Sequence, residues 1–139
     1  MLVTTQWLSQ DPHIVYQKYD DTYNFPIFRQ ALFEMRRYMM RTDEPIYVII
    51  DYTTVTRVNP FSMLRGGVMI ENTRPRNAVL GIAVAQPDSM IYHYTAFWLR
   101  MGRVIGSKAA RDFQLTTTVA HAQQIIADYV AESDAAQSS

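Results

Sequence analysis

Two short stretches, Ile46-Tyr47-Val48-Ile49-Ile50 and Ala78-Val79-Leu80-Gly81-Ile82-Ala83-Val84, contain no charged or strongly polar residue. A strand with one face in water alternates polar with apolar residues, whereas an unbroken apolar run is covered on both faces. Pro45 precedes the first run and Asp51 closes it; Gln86-Pro87-Asp88 closes the second just after Ala85. Two strands covered above and below require helices on a sheet, so the chain is expected to form an α/β domain.

The segments around these runs supply the cover. Leu2 to Leu8 and Ile14 to Tyr19 are rich in β-branched and aromatic residues and are separated by the turn-like Ser9-Gln10-Asp11-Pro12-His13, which predicts an opening hairpin. Phe28, Leu32, Met35 and Met39 recur at helical spacing with Arg29, Glu34, Arg36 and Arg37 off the stripe, predicting a first helix from about Pro26 to Arg41. Asn59-Pro60 offers a cap and a first-turn proline for a second helix that leads into Phe61, Leu64, Val68 and Met69 and is expected to be short or distorted at Gly66-Gly67. A third helix carries Met90, Tyr94, Phe97, Trp98, Met101 and Ile105 on one face, with Tyr94, Phe97 and Trp98 expected in the core and Tyr92 and His93 turned outward. A short last strand carries Phe113 and Leu115, and Thr118 caps a fourth helix that buries Val119, Ala122, Ile126 and Tyr129.

The resulting order is β-β-α-β-α-β-α-β-α, a mostly parallel sheet of about five strands with an N-terminal antiparallel hairpin and four helices. At 139 residues this is one domain. We place it at residues 1–131, with 132–139, small and polar without periodicity, as a flexible C-terminal tail.

Charge and composition narrow the function. Lys plus Arg and Asp plus Glu are both 13, so the molecule has no net attraction for a phosphate backbone, and nucleic acid is not an expected partner. No apolar run reaches the roughly 18 residues of a membrane span, no leader pattern opens the chain, and cysteine is absent, all of which fits a cytoplasmic protein. His13, His93 and His121 are scattered, without a second ligand at helical spacing, so neither a metal nor another cofactor is expected. The sequence has no G-x-S-x-G elbow and no phosphate loop. Asp51, Tyr52 and His93 form the only plausible polar trio near a strand end, and no base and nucleophile are fixed by spacing, so the chain is not expected to be an enzyme.

In open α/β sheets ligands and partners gather where strands end, which draws attention to Asp51-Tyr52-Thr53-Thr54-Val55-Thr56-Arg57-Val58-Asn59-Pro60-Phe61-Ser62, expected as the loop after the central strand. The same stretch, extended to Val48 and Leu64, resembles the STAS domain family and its SpoIIAA-like branch, which includes anti-sigma factor antagonists. In those antagonists a strand ending Asp-Leu-Ser-Gly-Val leads to Asp-Ser-Ser-Gly-Leu. Asp51 and Val55 match; Asn59 stands for the second aspartate, Pro60 and Phe61 stand at the two serines, and Ser62 falls at the glycine, so no phosphosite is carried over. The resemblance implies a single-domain SpoIIAA-like fold and a regulatory or scaffold module that binds a protein partner or its own copy. The partner-binding residues proposed on this basis are Thr53, Thr54, Arg57, Asn59, Phe61, Ser62, Arg65 and Tyr92. The alternative is a carrier or sensor of a lipid-like or other apolar small molecule, because surplus apolar surface beside Met39, Met40 or Met101 suits a dimer face or a ligand groove. Leu32→Ala and Phe97→Ala are expected to be costly and Ser62→Ala nearly neutral.

Overall fold

The computed structural model describes residues 2–138 and contains one five-stranded sheet whose spatial order follows the chain, β1-β2-β3-β4-β5. β1 (Val3–Gln10) and β2 (His13–Tyr23) form the antiparallel hairpin; β3 (Ile46–Val58), β4 (Ala78–Val84) and β5 (Phe113–Thr116) then add one after another, each parallel to the last. The crossovers are α1 (Phe25–Met39), α2 (Pro60–Thr73) and α3 (Met90–Val104), with the short α4 (Lys108–Arg111) before β5. Right-handed crossovers that always step in the same direction place their helices on the same face of a sheet. Accordingly Phe28 and Met35 of α1, Met63 of α2 and Ile91 of α3 share one core with Val48, Ile50 and Tyr52 of β3. The last helix, α5 (Val119–Ser138), returns across the opposite face, where Ala122 and Ile126 pack on Tyr47, Ile49, Leu80, Ile82 and Val84. Both central apolar runs are therefore strands, side by side and covered on both faces. No helix among the described residues is long and apolar enough to cross a membrane.

Four local expectations are corrected. First, β3 does not stop at Ile50 but continues to Val58, because β2 also runs on to Tyr23 and pairs with it. Val55 is buried while Thr54 and Thr56 face solvent, the alternation of a half-covered strand. Two register shifts accompany this extension, and Asp21 takes a φ of 67°, a left-handed conformation that a short polar side chain tolerates.

Second, α2 is a full helix of 14 residues, and its buried face is Ser62, Met63, Gly66 and Gly67; Phe61, Leu64 and Val68 point outward. A β-carbon on Gly66 would lie 3.0 Å from the Tyr23 hydroxyl and 3.1 Å from the Phe28 ring, so the glycines are what let α2 settle so close to its neighbours. Third, α3 buries Ile91, Thr95, Leu99 and Gly102, not the larger residues expected; Tyr94 and Trp98 are half-buried and Met90, Phe97, Met101 and Ile105 are exposed. Tyr92, expected to face outward, is half-buried against the core. Fourth, α4 has no counterpart in the sequence reading, and α5 carries on to Ser138 through the stretch assigned above to a tail.

Candidate partner-docking site

The eight residues singled out along β3 and α2 and on α3 divide by what their side chains already hold. Thr53 donates from its backbone N and from Oγ1 to Asp51 Oδ1, at 2.8 and 2.6 Å. Thr54 Oγ1 donates to the Tyr19 carbonyl at 3.0 Å. Arg57 pairs with the Asp21 carboxylate, which also accepts from Thr56 Oγ1 at 2.9 Å; the arginine is the main cause holding the Asp21 carboxyl below its ordinary range. The Thr54, Thr56 and Arg57 contacts fasten the extension of β3 to β2, while those of Thr53 stay within β3. Asn59 Oδ1 accepts from Phe61 N at 3.0 Å and so caps α2. Ser62 is buried, and its Oγ accepts from Phe25 N at 2.8 Å, linking the starts of α1 and α2. Arg65 lies with its guanidinium 3.9 Å over the Phe25 ring. Six of the eight therefore hold contacts within the fold, Tyr92 on α3 is half-buried against the core, and Phe61 alone lines the groove described next.

The polar trio does not converge. Asp51 and Tyr52 are successive strand residues on opposite faces of the sheet, and His93 is exposed on α3. Asp51 accepts from Tyr16 on the α5 side of the sheet, whereas Tyr52 sits between Tyr19 and Tyr23 on the other side, at ring separations of 5.0 and 5.6 Å. Burial pushes the hydroxyls of Tyr19, Tyr23 and Tyr52 above the ordinary tyrosine value, because the phenolate would lose its water. Among the described residues no three His, Asp or Glu side chains cluster in a way that could hold a metal ion.

What the structure does assemble is an open apolar groove of about 890 Å³ between α2 and α3. Phe61, Leu64 and Val68 form one wall and Phe97, Met101 and Ile105 the other, with exposures from 44% at Met101 to 78% at Ile105. Its floor is set by Gly67, where a β-carbon would fall 2.6 Å from Cε2 of Trp98 and closer still to Nε1. At the far end Glu71 accepts from Ser107 Oγ (2.9 Å), Lys108 N (3.2 Å) and Ala109 N (2.8 Å), which locks α2 to the start of α4 and holds the Glu71 carboxyl below its usual range. The walls are thus fixed at the floor and at this end. Of these six residues, sequence reading placed Phe97 in the core, singled out Phe61 for a partner and set the others on apolar helix faces, since α3 is apolar nearly all round and periodicity alone does not choose its inner face. The adjacent glycines were the usable sign: the side of a helix without side chains is the side that packs closest.

No protein-family model and no curated protein matches this chain. Among solved structures it is similar to the crystal structure of an uncharacterized protein of the DUF3478 family with a SpoIIAA-like fold, from Shewanella loihica PV-4. The two superpose with a TM-score of 0.54 at 11% sequence identity, over 81% of this chain and 84% of the other. The fold of this chain is therefore SpoIIAA-like.

Proposed function

We propose that the protein is a non-catalytic docking module of the regulatory or scaffold kind, and that its docking face is the α2–α3 groove, occupied by a second copy of the same chain. The exposed apolar walls of that groove carry the reading. Monomers seldom expose a contiguous apolar patch beyond about 300–600 Å². Six large apolar side chains at these exposures, gathered in one groove, form a contiguous apolar surface of the kind a partner covers. The equal totals of acidic and basic residues remove long-range repulsion between copies. A twofold pairing sets the same patch against itself, so apolar walls need no complementary charge on a different partner.

Sedimentation velocity over a range of concentrations tests this. The expected result is a reversible dimer that Phe97→Glu converts to a folded monomer with an unchanged circular dichroism spectrum. A monomer at every concentration, or a dimer indifferent to Phe97→Glu, would overturn the proposal. A monomer carrying a co-purified amphiphile would support the carrier reading in its place.

A further inference from the structure

The sheet has two edges, and they differ in charge. β1 is 8 residues long and carries no charged side chain. β5 has only 4 residues, yet Arg100 and Arg103 of α3 and Arg111 of α4 stand beside it. Exposed edges are commonly blunted with charged side chains, which keeps them from pairing at random. That need is greater at the longer edge, so protection alone does not account for arginines gathered at the shorter one.

The three arginines line an open trough of about 750 Å³ that follows β5. Gln114 and Leu115 both border it, and successive strand residues project to opposite faces, so the space wraps the edge itself. The main chain there faces outward. The Asp112 and Thr116 carbonyls accept from Gly81 N and Ala85 N, each at 3.0 Å, so by alternation the backbone groups of Phe113 and Leu115 point away from β4. Arg103 agrees with that direction: its Nη2 donates to the Phe113 carbonyl at 2.7 Å, and its Nε donates to that of Ala110 at 3.3 Å. The N–H and C=O of Leu115 remain for an added strand.

No carboxylate lines the trough. Asp112, the acidic neighbour in sequence, is shared by Arg74 at 2.7 Å and Arg111 at 3.6 Å. Arg100 and Arg103 pair with no acid among the described residues. In a chain whose acidic and basic residues both number 13, this is a local surplus of positive charge.

We propose that an extended acidic segment of a partner protein adds to the five-stranded sheet beside β5, with its main chain on Leu115 and its carboxylates on Arg100, Arg103 and Arg111. Alternate residues of an added strand share one face, so an acidic residue at every second position is the pattern these arginines recognise. A second copy does not suit this edge, because two β5 strands set together would bring like charges face to face. Phe97 and Met101 line the groove whereas Arg100 and Arg103 line the trough, so α3 presents different residues to the two sites and this inference does not rest on self-association.

The test measures fluorescence anisotropy of a labelled peptide of alternating glutamate and valine, titrated with the full chain, and amide hydrogen exchange at Leu115. The glutamate peptide should bind saturably and the matching lysine peptide should not. Arg100 is exposed, so Arg100→Glu should fold normally and weaken binding by about tenfold or more. Exchange of the Leu115 amide should slow when the peptide is bound, which attraction by charge alone would not produce. Absence of saturable binding, unchanged affinity in Arg100→Glu, or unaltered Leu115 exchange in the complex would each overturn the inference. So would a thymidine oligonucleotide that competes on equal terms with the peptide, since it would show a site for any polyanion.

Discussion

α1 and α3 are built alike and finished differently. Each has 15 residues, each is capped by a side-chain oxygen, from Asn24 and Ser89 respectively, and each buries a residue every three or four positions. α1 turns Phe28, Ala31, Met35 and Met39 inward and leaves Arg29, Gln30 and Arg37 in water. α3 turns Ile91, Thr95, Leu99 and Gly102 inward and leaves Met90, Phe97 and Met101 exposed. On α1 the large apolar side chains, Phe33 excepted, are buried or half-buried; on α3 Met90, Phe97, Met101 and Val104 are exposed. A fully exposed Phe or Met forgoes roughly 1.5–3 kcal/mol of burial, and repetition of this along α3 and the facing side of α2 marks a surface that a partner covers.

Mutations across the two helices break or sharpen the contrast. The largest effect is expected at Phe28→Ala, about 3–5 kcal/mol by urea denaturation, because the ring is 3% exposed beneath Gly66 and beside Tyr23. Alkali should act on the same core. Burial raises the Tyr19, Tyr23 and Tyr52 hydroxyls above 10.0, so their contribution to stability is complete below the ordinary tyrosine value. It is lost as pH climbs past that value towards the raised ones, and a spectrophotometric titration should show phenolate appearing with unfolding.

Next in size, Gly67→Ala forces a methyl into Trp98 and should lower stability by about 1–3 kcal/mol, with a change in tryptophan fluorescence. Ser62→Ala removes the acceptor of Phe25 N and should cost about 1–2 kcal/mol in thermal unfolding, a correction to the near-neutral effect the sequence suggests. The smallest effect belongs to Phe97→Ala, below about 1 kcal/mol measured on the monomer at high dilution, since its ring is 61% exposed. A loss there as large as that of Phe28→Ala would erase the distinction between the two helices.

The sheet was largely legible because its chemistry is one-sided. Ile46 to Ile50 and Ala78 to Val84 tolerate no reading but a doubly covered strand, and the boundaries of β4 match the apolar run residue for residue. α1 was legible for a similar reason, with charge and apolarity on opposite sides. The end of β3 was not, because Thr53 to Val58 are β-formers of mixed polarity whose pairing depends on the length of β2, a non-local fact. Nor were the inner faces of α2 and α3, where Gly66, Gly67, Thr95 and Gly102 take the core positions and bulk misleads. Of the groove, only Phe61 and surplus apolar surface beside Met101 were legible, and the facing walls as a whole went unseen.

The account rests on the outer face of α2 and α3 being covered in solution while that of α1 is not. Because the sequence contains no cysteine, Val68→Cys and Phe33→Cys each supply a sole thiol, the first in the groove and the second on the outer side of α1. Alkylation at Val68→Cys should slow as protein concentration rises, while that at Phe33→Cys stays constant. Rates at both positions that do not change with concentration would contradict the assignment of the groove as the docking face.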